Sequence, residues 1–152
     1  MRTVLALSVA VVVGAPLSAQ SACKVEGVWE LVSGSADGKP YPAGSRELKI
    51  ITKGHFAVVW REPSTPKQLN TVADSLAAYR HSGAGGGTYT VQGTTYTEHL
   101  DYFSDPTNVG RALPFTCRTE GDKFYQSGNF PIFEGGKKVR DSKLAEVWKR
   151  VE

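Results

Sequence analysis

From Val28 onward, apolar and polar residues alternate with a period of two, and turn-forming residues interrupt the alternation about every ten positions. Period two is the spacing at which neighbouring side chains of an extended strand reach opposite faces, so the pattern predicts an all-β domain. It places strands at Val28–Ser33, Arg46–Thr52, His55–Arg61, Gly86–Val91, Thr94–Phe103, Val109–Thr119, Asp122–Gly128 and Leu144–Val151. Lys53-Gly54, Gln92-Gly93 and Gly121-Asp122 lie between alternating runs and read as tight hairpin turns. One segment has a different period. In "NTVADSLAAYRH", Asn70 to His81, Val72, Leu76 and Tyr79 recur at helical spacing, with Asn70 or Thr71 as cap and Gly83 as stop.

The lengths of the connections carry topology. With strands running alternately up and down, the three tight turns fall at one end, and the long connections 34–45, 62–85, 104–108 and 129–143 fall at the other. Such a sheet removes its unpaired edges by closing. The expected fold is therefore a closed up-and-down antiparallel barrel of about eight strands with one short inserted helix, shut at one end and elaborated at the other.

The glycine run Gly83 to Gly87 is not a phosphate cradle. It has no Lys and its last candidate glycine position holds Thr88, and it lies between a helix and a strand rather than the reverse. In the hairpin that follows, with Gln92-Gly93 at the turn, Tyr89, Val91, Tyr96, Glu98, Leu100 and Tyr102 share one face. Thr88, Thr90, Thr95, Thr97, His99 and Asp101 share the other, which suits solvent. Glu98, opposite Gly87 on the aromatic face, is then a buried carboxylate that needs donors, a cation or a proton. Arg111 and Arg150 are the cations considered for it. In the next hairpin Phe115, Cys117, Phe124 and Gln126 point the same way. Around His55 the pattern conflicts: Leu48, Ile50, Ala57 and Val59 favour one face, and Phe56, Val58 and Trp60 the other.

The N-terminus has one Arg, an apolar run from Val4 to Val13, a Gly-Ala-Pro break and then small residues, the layout of a secretory signal peptide. It predicts a leader at residues 1–19, or to 22 if Cys23 is a lipid-bearing cysteine, followed by one domain over 20–152. The expected location is exported, periplasmic or secreted, with an outer-membrane lipoprotein as the lesser alternative. Cys23 has three open fates: acylation, a bridge to Cys117, or a free thiol. Of 18 Lys and Arg, Arg2 belongs to the leader, which leaves 17 against 15 Asp and Glu. A charge near +2 gives no basis for a nucleic-acid partner. No stretch is apolar for the ~20 residues of an integral span. Three histidines without ligand spacing, and no Gly-x-Ser-x-Gly, predict neither a metal centre nor a nucleophile elbow, and no cofactor.

"GVWEL", Gly27 to Leu31, carries the Gly-x-Trp signature that opens the first strand of lipocalins, and "EVWKR" closes the last strand with Arg150. Together with "GHF", "GGGTYT" and "YTEH", these phrases resemble small secreted bacterial lipocalin-like domains, barrels of calycin type. The resemblance implies that Arg150 packs on Trp29 and that the interior takes a ligand. The functional expectation is a secreted protein binding a small, largely apolar molecule within Tyr89, Tyr96, Glu98, Tyr102, Phe115, Phe124 and Gln126, with Leu76 and Tyr79 at the mouth. Two alternatives stand beside it. One is a barrel enzyme, an isomerase, cyclase or lyase with Glu98 as base and Tyr96 as acid. The other is a barrel filled by its own side chains and serving the cell envelope.

Overall fold

The structure, a computed structural model, describes residues 23–152. Both versions of the leader lie outside the described residues. The elements are β1 (Gly27–Ala36), β2 (Lys39–Pro40), β3 (Arg46–Ile51), β4 (His55–Arg61), α1 (Val72–His81), β5 (Ser82–Gln92), β6 (Thr95–Phe103), β7 (Ala112–Glu120), β8 (Lys123–Glu134) and β9 (Lys137–Arg150). β2 merely prolongs β1 across a tight Asp37-Gly38 turn. The other eight strands pair antiparallel in chain order, and β1 pairs with β9, so the expected closed up-and-down barrel is the fold of the chain.

The end holding the turns before β4, β6 and β8 is filled. Trp29, Tyr96 and Phe124 are fully buried there, with Trp29 and Phe124 ring centroids 5.4 Å apart and Phe124 edge-on to Tyr96 at 5.9 Å. Burying each such ring is worth roughly 1.5–3 kcal/mol, so this cluster is the main apolar anchor of the barrel. Residues 23–26 cap it from outside. Trp29 donates its indole N–H to the Val25 carbonyl at 2.7 Å, and the Arg150 guanidinium lies 4.2 Å from the Trp29 ring, as the Gly-x-Trp resemblance implies. Cys23 and Cys117 form a disulfide. That bond uses the sulfur that a thioether lipid anchor would need.

Two hairpins differ from their predicted form. The β5–β6 turn is Gly93-Thr94, with Gln92 opposite Thr95, so Glu98 faces Tyr89 and not Gly87. Because odd positions still oppose even ones, the inward face is preserved for Tyr89, Val91, Tyr96, Glu98 and Leu100. A bulge at Asp101 then reverses the alternation: Gly87 pairs with Leu100 and Gly86 with Tyr102. Tyr102 therefore points outward, 76% exposed, and Phe103 turns inward instead. The predicted loop 129–143 is also strand. β8 and β9 continue paired to a Gly135-Gly136 turn beyond the barrel rim. Pro131 is tolerated there because past Gly128 β8 has lost its β7 neighbour, so one side of the strand has no ladder for a proline to interrupt.

The helix starts where the sequence predicts. Thr71 caps it by accepting from the Asp74 N–H at 3.1 Å, and Asp74 accepts from the Thr71 N–H at 2.9 Å, a reciprocal capping box. It ends directly in β5 at Ser82, before Gly83. Its apolar stripe stays open: Val72, Leu76 and Tyr79 are all exposed, and Tyr79 is tied to the barrel by its hydroxyl on the Ser104 carbonyl at 3.1 Å.

Candidate functional site

The other half of the interior is a cavity of about 320 Å³, open beside the long connections. Its apolar wall is aromatic. Trp60 stacks against Phe103 at 5.4 Å, and Phe103 against Phe130 at 5.7 Å, with Ile132 and Leu144 alongside. The glycine run makes room for this wall. The Trp60 ring lies over Gly83 and the Phe103 ring over Gly85, where any added Cβ would collide with them. Glycines in the strand thus mark a close approach of side chains.

The opposite wall and floor are polar. β3 turns Glu47, Lys49 and Ile51 inward and leaves Leu48 and Ile50 on the outside, since Lys49 pairs with Val58 and Glu47 with Trp60 on β4. This resolves the conflict around His55: Phe56, Val58 and Trp60 face the interior, while His55, Ala57 and Val59 face solvent. Lys49, 2% exposed, donates to Glu98 at 2.8 Å and to the Gln126 side-chain oxygen at 2.9 Å. Its ammonium also sits 4.8 Å from the Trp148 ring. Glu98 is thus an ion-paired buried acid whose partner is Lys49. Arg111 instead donates to the Thr107 carbonyl and lies over Phe133, and Arg150 is spent on Trp29.

Two further carboxylates enter the cavity. Glu146, 8% exposed on β9, accepts from the Tyr41 hydroxyl at 2.8 Å, which brings the 37–45 connection across the mouth. Burial raises the Glu146 carboxyl above its ordinary value, with nearby Lys49 pulling the other way. Glu47 has no hydrogen-bond or ion-pair partner among the described residues. Desolvation chiefly, and then the Glu146 charge, push its carboxyl up to about 8, against the pull of Lys49. At the rim Glu62 meets His81 at 2.8 Å. Trp148, fully buried in the floor, has no well-formed hydrogen bond at its indole N–H, although Glu146 lies near enough to act on it.

The seven residues expected to form the site fall in three places. Glu98, Phe115 and Gln126 line the cavity. Tyr96 and Phe124 belong to the filled end, and Tyr89 lies beside them with its hydroxyl on the Thr52 carbonyl at 3.0 Å. Tyr102 lies outside, for the reason given by the bulge. Leu76 and Tyr79 are at the open end on α1, but neither borders the cavity. Sequence reading missed Glu47, Lys49, Trp60, Phe103, Phe130 and Glu146. The available signal was the "RELKII" alternation itself, which admits a charged inner face as readily as an apolar one. Among the described residues no group of three His, Cys, Asp or Glu side chains is placed to hold a metal, and no helix is long and apolar enough to cross a membrane. No protein-family model matches the chain, and no curated protein does.

Glu47 gives stability a pH dependence of definite sign. Its folded value of about 8 exceeds the ordinary 4.5, so within that window the folded chain holds a proton that the unfolded chain has lost. Stability should therefore fall as pH rises from 4.5 to 8. Discounted for partial exposure, the loss expected is about 1–2 kcal/mol. In Glu47→Gln this component should vanish. Urea denaturation of both proteins across that range checks it, and parallel curves would count against the assignment.

Proposed function

We propose that the chain is an exported lipocalin-like barrel that binds a small, largely apolar molecule in its open half. The observation that carries this is the division of the interior. One half is packed solid around Trp29, Tyr96 and Phe124, whereas the other is a cavity of about 320 Å³ with an aromatic wall and a few convergent polar groups. A volume at the lower end of the usual range for ligand sites suits a small guest. Export is supported by the signal-peptide layout and by a disulfide, which persists in oxidising compartments. The paired state of Glu98 weakens the acid/base alternative built on it: its carboxylate accepts from an ammonium, and Tyr96, although close to Glu98, does not line the cavity.

The neutral fluorophore phenylnaphthylamine tests this reading. Its emission should rise on mixing with the oxidised mature protein and saturate at one site. Val58→Trp places an indole in the cavity from β4 and should abolish the rise while leaving the circular-dichroism spectrum native. No enhancement with the wild type, or equal enhancement with the variant, would refute binding in this cavity.

A further inference from the structure

The charge lining the cavity is unbalanced, and the imbalance specifies the guest. Glu47, Glu98 and Glu146 face the interior against the single ammonium of Lys49. That ammonium is committed, held 2.8 Å from Glu98 and 2.9 Å from Gln126. At the rim Arg61 and Glu62 cancel in formal charge, and Glu62 itself meets His81. Two carboxylates are therefore left without a cation in a site walled by Trp60, Phe103 and Phe130. In the empty protein burial raises the proton affinity of both, that of Glu47 to a value of about 8. A proton is a poor long-term partner where a fixed cation could form charge-assisted hydrogen bonds to the same oxygens.

We propose that the ligand of this cavity is a compact apolar amine, its cationic group seated between Glu47 and Glu146 and its apolar body against the Trp60–Phe103–Phe130 wall. This rests on the cavity being a binding site at all. Three features beyond the acid cluster support it. The carboxylates of Glu47 and Glu146 line one open-ended cavity and lie close enough for each to act on the other's charge. Glu146 is more than nine-tenths buried, lines the cavity, and engages the Tyr41 hydroxyl through one carboxylate oxygen. The buried indole N–H of Trp148 lines the same floor without a well-formed partner, so it can donate to a water that enters with the amine. The same arithmetic disfavours fatty acids and other anions, which would bring a further negative charge into a site whose one inner ammonium is already committed.

Binding an ammonium beside Glu47 favours its charged form, so the proton it carries near neutral pH must leave as the amine enters. Association should therefore release protons and strengthen as pH rises toward about 8.

The test uses three probes sharing one skeleton, phenethylamine, phenethyl alcohol and hydrocinnamate, titrated into the oxidised protein by calorimetry near neutral pH and in competition with phenylnaphthylamine. The amine should bind roughly tenfold or more tightly than the alcohol, and the carboxylate more weakly than either by a similar factor. Repeating the amine titration in buffers of different ionisation enthalpy should show net proton release. In Glu47→Gln the ratio of amine to alcohol affinity should fall to about twofold, and the proton release should disappear. If phenylnaphthylamine binds but the alcohol equals or exceeds the amine, the amine assignment is wrong and the binding cavity stands. If neither the fluorophore nor any probe binds, both fall together.

Discussion

Lys49→Met should destabilise the protein by about 3–5 kcal/mol at neutral pH, because it leaves the Glu98 carboxylate buried without its cation. Lys49 is 2% and Glu98 5% exposed, so neither can exchange its partner for bulk water. The effect extends beyond Glu98, since Lys49 also lowers the proton affinity of Glu146. In the variant both acids must take protons or swell the barrel to reach water. The loss should therefore shrink on acidification, where protonated carboxyls need no cation. The double variant Lys49→Met/Glu98→Leu should recover most of the stability, because a buried ion pair replaced by apolar groups is often neutral even though breaking it is costly. Urea denaturation of the two single variants and the double variant closes the cycle. A coupling below about 1 kcal/mol would show that the pair is not desolvated as described.

This pair also marks where sequence reading stops. Strand existence, chain-order pairing and barrel closure were legible because each depends only on alternation and on the positions of turn residues. Faces were legible wherever one set was plainly more apolar, as in Tyr96, Glu98 and Leu100, and a one-position error in the turn did not disturb them. β3 offers no such contrast. Its outward residues, Leu48 and Ile50, are more apolar than its inward Glu47 and Lys49, because the cavity and not a packed core lies behind them. A strand that serves a polar cavity inverts the rule used to read it. The Asp101 bulge was illegible for a different cause. It depends on Gly87, where a Cβ would meet the His99 carbonyl across the strand, a contact that no period in the sequence encodes. Tyr102 and Phe103 exchanged faces as a result.

The partition of roles between the two ends follows from the same residues. Aromatics that sit early in the strands after tight turns, such as Phe56, Tyr96 and Phe124, gather at the filled end with Trp29. The later inward positions, Trp60, Phe103 and Phe130, reach the open end and line a space instead of filling it. Thus Phe124 and Phe130, on one face of one strand, have different duties: the first is fully buried in the core and the second borders the cavity.

Removing the Cys23–Cys117 bond should cost about 2–5 kcal/mol, with little effect on what the open end binds. The bond joins positions separated by 94 residues, so cutting it frees a long loop in the unfolded chain, where the chain-entropy account places most of the gain. In the folded chain the damage should be local. Residues 23–26 are otherwise held by the Cys23 N–H on the Gly93 carbonyl at 3.3 Å, by the Thr119 hydroxyl on the Lys24 carbonyl at 3.3 Å, by Trp29 on Val25 at 2.7 Å and by Arg150 on the Glu26 carbonyl at 2.7 Å, all at the filled end. Fraying of that cap would wet one face of Trp29 and loosen Arg150 from it. Neither Trp29 nor Arg150 borders the cavity. The double variant Cys23→Ser/Cys117→Ser should therefore unfold at lower urea, show red-shifted indole emission, and bind phenylnaphthylamine at native temperature nearly as the wild type does. Reductant applied to the wild type should reproduce the same stability loss. If binding were lost in step with stability, the two ends of the barrel would be one cooperative unit, and the separation of a stapled base from a ligand-accepting mouth would have to be abandoned.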